Sequence, residues 1–271
     1  MDTRSIAVFD SGLGGLPSLD KLTKLLPGED YIYVADSGRM PYGDRSRGEI
    51  TIMSRQLMSF VLEFDVKAIL VACGTITSAC LPVLQAMTPV PIFGVIESAS
   101  RRAVSLSPVG RIGVIATTAT ISSGAYQKRI AQLRPEARVF PLACPRLAPL
   151  VESGHFSADD PMALEAVHEY ADPLLSQGID TLLLGCTHYA LLEDALRSVC
   201  GDGVALVQNG GEAASAVAER ILQSSLSCGR DSGGACRFFT TGDKSAFADR
   251  ARLFLGRDIS EKTAHISVFD L

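Results

Sequence analysis

Two short apolar runs, each ending on a cysteine, lie 113 residues apart. Ala68-Ile69-Leu70-Val71-Ala72 gives way to Cys73-Gly74-Thr75, and Thr181-Leu182-Leu183-Leu184-Gly185 gives way to Cys186-Thr187-His188. Apolar residues without polar alternation read as strands covered on both faces, which calls for a parallel sheet between helix layers. The C-terminal ends of such strands form the crevice where open α/β sheets hold ligands. The chain is thereby constrained to an α/β fold that delivers two thiols to two crevices.

The rest of the sequence alternates in the same way. Ile6-Ala7-Val8-Phe9 reads as a strand ending at Asp10, and Leu16, Leu19, Leu22 and Leu26 follow at helical spacing until Pro27-Gly28. Tyr31-Ile32-Tyr33-Val34 is a second strand, ending at Asp36. Ile50, Met53, Leu57, Phe60, Val61 and Phe64 mark an amphipathic helix. After the Cys73 strand and a short helical stretch, Pro91-Ile92-Phe93-Gly94-Val95 reads as another strand. A second unit opens near Arg111 with the strand Ile112-Gly113-Val114-Ile115-Ala116 and a helix through Tyr126, Ile130 and Leu133. A strand at Arg138-Val139-Phe140, a helix over 160–177, the Cys186 strand, a strand at Val204–Val207 and a helix through Ala214, Val217 and Ile221 complete it. Corresponding first strands are offset by 106 residues and the cysteine strands by 113, which suggests a duplicated unit. Residues 224–236 read as a surface loop, and Arg237-Phe238-Phe239-Thr240-Thr241 as a late strand added to the first unit's sheet. The expected fold is α/β: two pseudo-symmetric doubly wound lobes with mainly parallel sheets and the site between them. The first lobe is expected over 1–97 plus 209–271, and the second over 98–208.

Composition removes several classes. Hydrophobic content of 47% and charged content of 20% fit a globular chain with a full core. No apolar run approaches the ~18 residues of a membrane helix, and no charged n-region with a long apolar core precedes the first strand. A net charge of −5 supplies no long-range attraction for nucleic acid or an anionic membrane. Seven cysteines, an odd number in a chain of this length, indicate free thiols in a reducing, cytoplasmic setting.

Paired thiols at strand ends suit one demanding reaction. Removing the α-proton of an amino acid needs a base and donors for the developing enolate, and inversion needs an acid on the opposite face. A thiolate and a thiol supply both, and exchange roles in reverse. His188 is placed to exchange a proton with Cys186 or the substrate, and Asp10 to serve the Cys73 side. Cys80, Cys144, Cys200, Cys228 and Cys236 lack the strand-end setting and read as structural, as do His155, His168 and His265 by their context. A zinc site is not indicated: Cys73 and Cys80 are six residues between, and Cys186 and His188 only one. No metal or cofactor is expected. Asp10-Ser11-Gly12-Leu13-Gly14-Gly15 lacks the full phosphate-loop patterns, and Asp10 would repel a phosphate. The loop suits a carboxylate held by N–H groups and the Ser11 hydroxyl. Pro41-Tyr42-Gly43 forms a turn that brings Tyr42 and the Gly43 N–H beside the crevice.

These segments together resemble the glutamate racemase family. The resemblance rests on Asp10–Leu16, Asp36 with Pro41-Tyr42-Gly43, Ala72-Cys73-Gly74-Thr75, Leu184-Gly185-Cys186-Thr187-His188-Tyr189 and Phe239-Thr240-Thr241-Gly242-Asp243, in the family's order. It implies a cofactor-independent isomerase interconverting L- and D-glutamate for peptidoglycan, with Cys73 and Cys186 as acid and base. It places substrate-binding positions at Asp10, Ser11, Tyr42, Gly43, Gly74, Thr75, Thr187 and His188, and brings Pro41, Thr117, Thr118, Thr120 and Glu152 near the site. The small-molecule substrate glutamate is the partner expected, with neither nucleic acid nor membrane, in a chain expected to form a homodimer. Three positions depart from the family: Gly74 stands where Asn is usual, Ala190 where Pro is usual, and Gln208-Asn209 where an Asp is frequent. Gly74 is expected to enlarge the pocket, so a racemase of aspartate or another amino acid is the nearest alternative. A non-catalytic binding relative is the next.

Overall fold

In the computed structural model, which describes residues 1–267, each apolar run becomes a parallel strand. The first half of the chain runs β1 (Ser5–Asp10), α1 (Leu16–Leu25), β2 (Tyr31–Ala35), α2 (Arg47–Val61), β3 (Val66–Val71), α3 (Gly74–Gln85), β4 (Ile92–Gly94) and α4 (Val95–Leu106). The second unit follows as β5 (Arg111–Ala116), α5 (Thr118–Ser123), α6 (Ala125–Leu133), β6 (Arg138–Ala143), α7 (Leu147–Glu152), α8 (Pro161–Ser176) and β7 (Thr181–Leu184). A 3-10 turn (Thr187–Leu192), α9 (Glu193–Cys200) and β8 (Ala205–Gln208) complete that unit. The chain then returns through α10 (Asn209–Leu222), β9 (Cys236–Thr240), α11 (Lys244–Leu255) and β10 (Thr263–His265).

Local chemistry fixes several of these limits. Pro17 occupies the first turn of α1, where a missing N–H does no harm. Ser46 and Glu49 form a reciprocal capping box at the start of α2. Left-handed Gly124 and Gly256 end α5 and α11.

The strands assemble into two all-parallel sheets, β10-β9-β2-β1-β3-β4 and β6-β5-β7-β8. The order β2-β1-β3-β4 recurs as β6-β5-β7-β8, so the internal repeat extends over four strands. β3 and β7, which carry the two cysteine runs, are equivalents in this scheme. β9 pairs with β2, so the late strand joins the first sheet as expected, and β10 extends it further.

Helices cover both faces of each sheet. Leu16, Leu19 and Leu22 meet Ala214, Val217 and Phe247 over Val8 and Leu70, while Leu57, Met58 and Ile76 pack on Phe9, Val34 and Val71 behind them. In the second sheet Val167, Leu174 and Leu196 close one face over Leu182 and Leu184, and Ala99, Ala103 and Ile130 close the other over Ile112 and Val114. Full burial of each such large aliphatic side chain is worth roughly 1.5–3 kcal/mol. α10 leaves the end of β8 and packs against α1 and α4, tying the two lobes together. Among the described residues no helix is long and apolar enough to cross a membrane.

Candidate active site

In each sheet the strand order reverses beside its first strand, which opens a switch point at the C-terminal ends. Asp10 and Cys73 flank one, and Thr117 and Cys186 flank the other. Both open onto the same small cavity of about 70 Å³, to which the two cysteines contribute. The backbone sets the thiols alike. Cys73 is extended (φ −123°, ψ 122°) and caps α3, and Cys186 is extended (φ −116°, ψ 134°) and caps the 3-10 turn. Each sulfur therefore lies at the N-terminal end of a helical segment, where backbone N–H groups favour negative charge.

Their immediate partners differ. Ser11 Oγ lies 3.4 Å from Cys73 Sγ. Burial, followed by the Asp10 carboxylate, pushes the Cys73 thiol well up, against smaller opposing effects of Ser11 and the Ile76 N–H. Asp10 is itself buried, and burial raises its pKa despite the nearby His188. Its Oδ2 accepts from the Gly12 and Gly15 N–H groups at 3.2 and 2.9 Å. Its Oδ1 is buried without a hydrogen-bond partner, an arrangement that native interiors rarely leave uncompensated.

On the other wall His188 Nδ1 stands 3.6 Å from Cys186 Sγ, and its Nε2 stands 2.9 Å from Glu152 Oε1. Burial disfavours the imidazolium, but the sulfur and the carboxylate on its two nitrogens outweigh that, and its pKa is raised well above the usual range. The Gly14 loop of the first lobe makes this approach possible: a Cβ there would fall 2.5 Å from His188 Nδ1. Phe254 of α11 meets the imidazole edge-on at 6.1 Å.

Ser11, Pro41, Tyr42, Gly43, Gly74 and Thr75 line the cavity from the first lobe, and Thr117, Thr118, Glu152 and Thr187 from the second. The Tyr42 hydroxyl is engaged behind the wall, donating to Asp36, which also accepts from Arg39 Nε at 2.7 Å and Thr241 Oγ1 at 2.6 Å. The lobes meet directly at the mouth. Thr75 Oγ1 and Thr117 Oγ1 are 3.0 Å apart, and the Ala119 N–H donates to the Gly43 carbonyl at 2.9 Å.

Two expectations are corrected. Thr120 does not reach the cavity. Its side chain is buried at the start of α5, where its Oγ1 accepts from Thr117 Oγ1 at 2.9 Å and its N–H donates to the same hydroxyl. Cys144 does occupy a strand end: β6 runs on to Ala143, and Cys144 with Pro145 forms part of the cavity wall. Met40, Asp44, Ala148 and Pro149 also border the cavity and carried no distinctive spacing. Among the described residues, no group of His, Cys, Asp and Glu is placed to hold a metal ion.

Residues 15–217 match the Asp/Glu/hydantoin racemase family. The chain belongs to that family. Within it, the chain is 39% identical over 260 residues to a glutamate racemase of Desulforudis audaxviator, covering 94% of each. It is 38% identical to a glutamate racemase of Streptococcus pneumoniae over 100% of both chains. Among solved structures it is similar to glutamate racemase RacE1 of Bacillus anthracis (TM-score 0.93, 34% identity, 99% of both chains). It is similar also to the Francisella tularensis glutamate racemase in complex with D-glutamate (TM-score 0.90, 30% identity, 98% of both).

One departure within this racemase-family chain has a different consequence from that expected. Gly74 does not enlarge the pocket along its Cβ direction. That space is taken by the Gly185 carbonyl, with the Asn209 amide beside it.

Proposed function

We propose that this protein is a glutamate racemase, an isomerase that interconverts L- and D-glutamate through two thiols, Cys73 and Cys186. The observation that carries the reading is the pair of equivalent strand ends, each presenting a cysteine to one cavity. Substrate would lie between a lobe of residues 1–97 plus 209–271 and a lobe of residues 98–208. One sulfur, as thiolate, takes the α-proton from one face, and the other, as thiol, returns a proton to the opposite face. The burial that keeps Cys73 protonated suits it to begin as the donor. On the Cys186 side an imidazolium held by Glu152 is a counter-charge for a thiolate.

The partnerless Oδ1 of Asp10 offers an acceptor for the substrate ammonium. Hydroxyls of Ser11, Thr75 and Thr187, with N–H groups of the strand-end loops, suit a carboxylate and the enolate that forms from it. The similarity to glutamate racemases over the full chain supports glutamate as substrate and D-glutamate for peptidoglycan as the outcome. Seven free cysteines support a reducing, cytoplasmic setting.

Incubation with L-glutamate in deuterated water, without added cofactor, tests this. Loss of the α-proton signal and appearance of D-glutamate are expected together. Exchange with aspartate or another amino acid alone would reassign the substrate, and no exchange with any amino acid would end the catalytic reading.

A further inference from the structure

Position 74 carries no side chain, and the structure leaves no room for one. A Cβ built there would stand 2.3 Å from the Gly185 carbonyl oxygen and 3.5 Å from Asn209 Nδ2. The first of these is backbone of the opposite lobe, so it cannot swing aside as a side-chain tip would. Gly185 is itself closely packed. A Cβ on it would meet Ala116 Cβ and Tyr126 Cε2, each at 2.9 Å, and the Ile115 carbonyl oxygen at 3.0 Å. The first turn of α3 thus bears on the residue that precedes Cys186, one position from Cys73.

Beside this contact lies Asn209, 1% exposed. Its Nδ2 donates to the Tyr126 hydroxyl at 3.1 Å, and its Oδ1 accepts from the Gly210 N–H at 2.7 Å. The Tyr126 hydroxyl in turn donates to the Gly185 carbonyl at 3.5 Å. The carboxamide fills the space next to position 74 and anchors the start of α10 to the second lobe. Tyr126 and Asn209 both lie behind the cavity wall and do not line it.

We propose that Gly74 and Asn209 are a matched pair of positioning residues that set the separation of the lobes at the two thiols, with side-chain volume at 209 and none at 74. The proposal rests on Cys73 and Cys186 being the two proton carriers. A side chain at 74 must push α3, and Cys73 with it, away from the end of β7. Misplacing reacting groups by about 1 Å can lower a rate ~100-fold.

The test compares wild type with Gly74→Ala, Gly74→Asn, Asn209→Ser and the double variant Gly74→Asn/Asn209→Ser. One readout is kcat and KM for glutamate racemisation. The other is the iodoacetamide alkylation rate of Cys73 and Cys186, resolved by mass spectrometry, which needs no turnover. Substitution at 74 is expected to lower kcat by roughly 10- to 100-fold, with KM changing less, and to quicken alkylation of both thiols as the lobes part. Asn209→Ser is expected to lower kcat several-fold, and the double variant to turn over faster than Gly74→Asn alone. Wild-type kcat and alkylation in Gly74→Ala would overturn the proposal, as would simple additivity in the double variant. If substitution at 74 prevents folding, Asn209→Ser, which shortens the side chain, still decides: unchanged kcat and alkylation sink the pairing. A wild-type enzyme inert toward glutamate would instead sink the proposed function, and alkylation would still read the lobe spacing.

Discussion

Cys73 and Cys186 share a backbone setting but not a proton supply. Cys73 faces a hydroxyl and a buried carboxylate, whereas Cys186 faces an imidazole that holds its proton between a sulfur and a carboxylate. Replacing either cysteine by alanine is expected to abolish racemisation, as followed by polarimetry, because the proposed mechanism gives each face of the substrate one carrier; normal turnover in either variant would remove that thiol from the mechanism. His188 gives a second expectation. Its folded pKa is raised, so it contributes stability fully below the unfolded value near ~6.5 and loses that contribution as pH rises through the folded value. The melting-temperature gap between wild type and His188→Gln should therefore be widest in mildly acidic solution and narrow toward alkaline pH. A gap that widens with pH would contradict the placement of that proton. Both thiols and His188 were legible because they close apolar runs. Cys144 was not, since β6 is a half-exposed edge strand and Pro141 interrupts the apolar run over 139–143 that leads to it. Glu152 was named only through resemblance: its contact with His188 joins residues 36 apart in sequence, which no local spacing encodes.

Among the elements, the buried strands were legible wherever both faces are covered, as in β1, β3 and β7. α4 was missed although Val95, Ile96, Ala99 and Ala103 recur at helical spacing along its buried face, because Val95 read as the end of the strand before it. β10, three residues at a sheet edge, has too few residues for any pattern. α11 illustrates how an element remote from β3 and β7 touches the site. Asp243 caps it, accepting from the Ala246 N–H at 2.8 Å, and Phe254 near its other end meets His188. Asp243→Ala should cost about 1 kcal/mol in chemical denaturation. Denaturation midpoints indistinguishable from wild type would show that the cap does not hold the helix.

For the molecule as a whole, the cavity walls come from both lobes, so a ligand that bridges them binds the folded form and not the unfolded chain. Glutamate at about 100 times its dissociation constant should add ~2.7 kcal/mol of stability, read as a rise in melting temperature. Cys73→Ala should keep most of that rise, because the groups proposed for binding the ammonium and carboxylate remain. Absence of any rise in wild type would mean that glutamate does not occupy the cavity.

The placement of β9 has a further consequence for biosynthesis. Every strand of the second sheet has been synthesised once residue 208 is added, but the first sheet waits for residues 236–265 before its outer strands can dock. Asp36, which anchors the Tyr42 hydroxyl, meets Thr241 only at that late stage. A nascent chain therefore carries both cysteines well before the strand that secures the wall around Tyr42 is made.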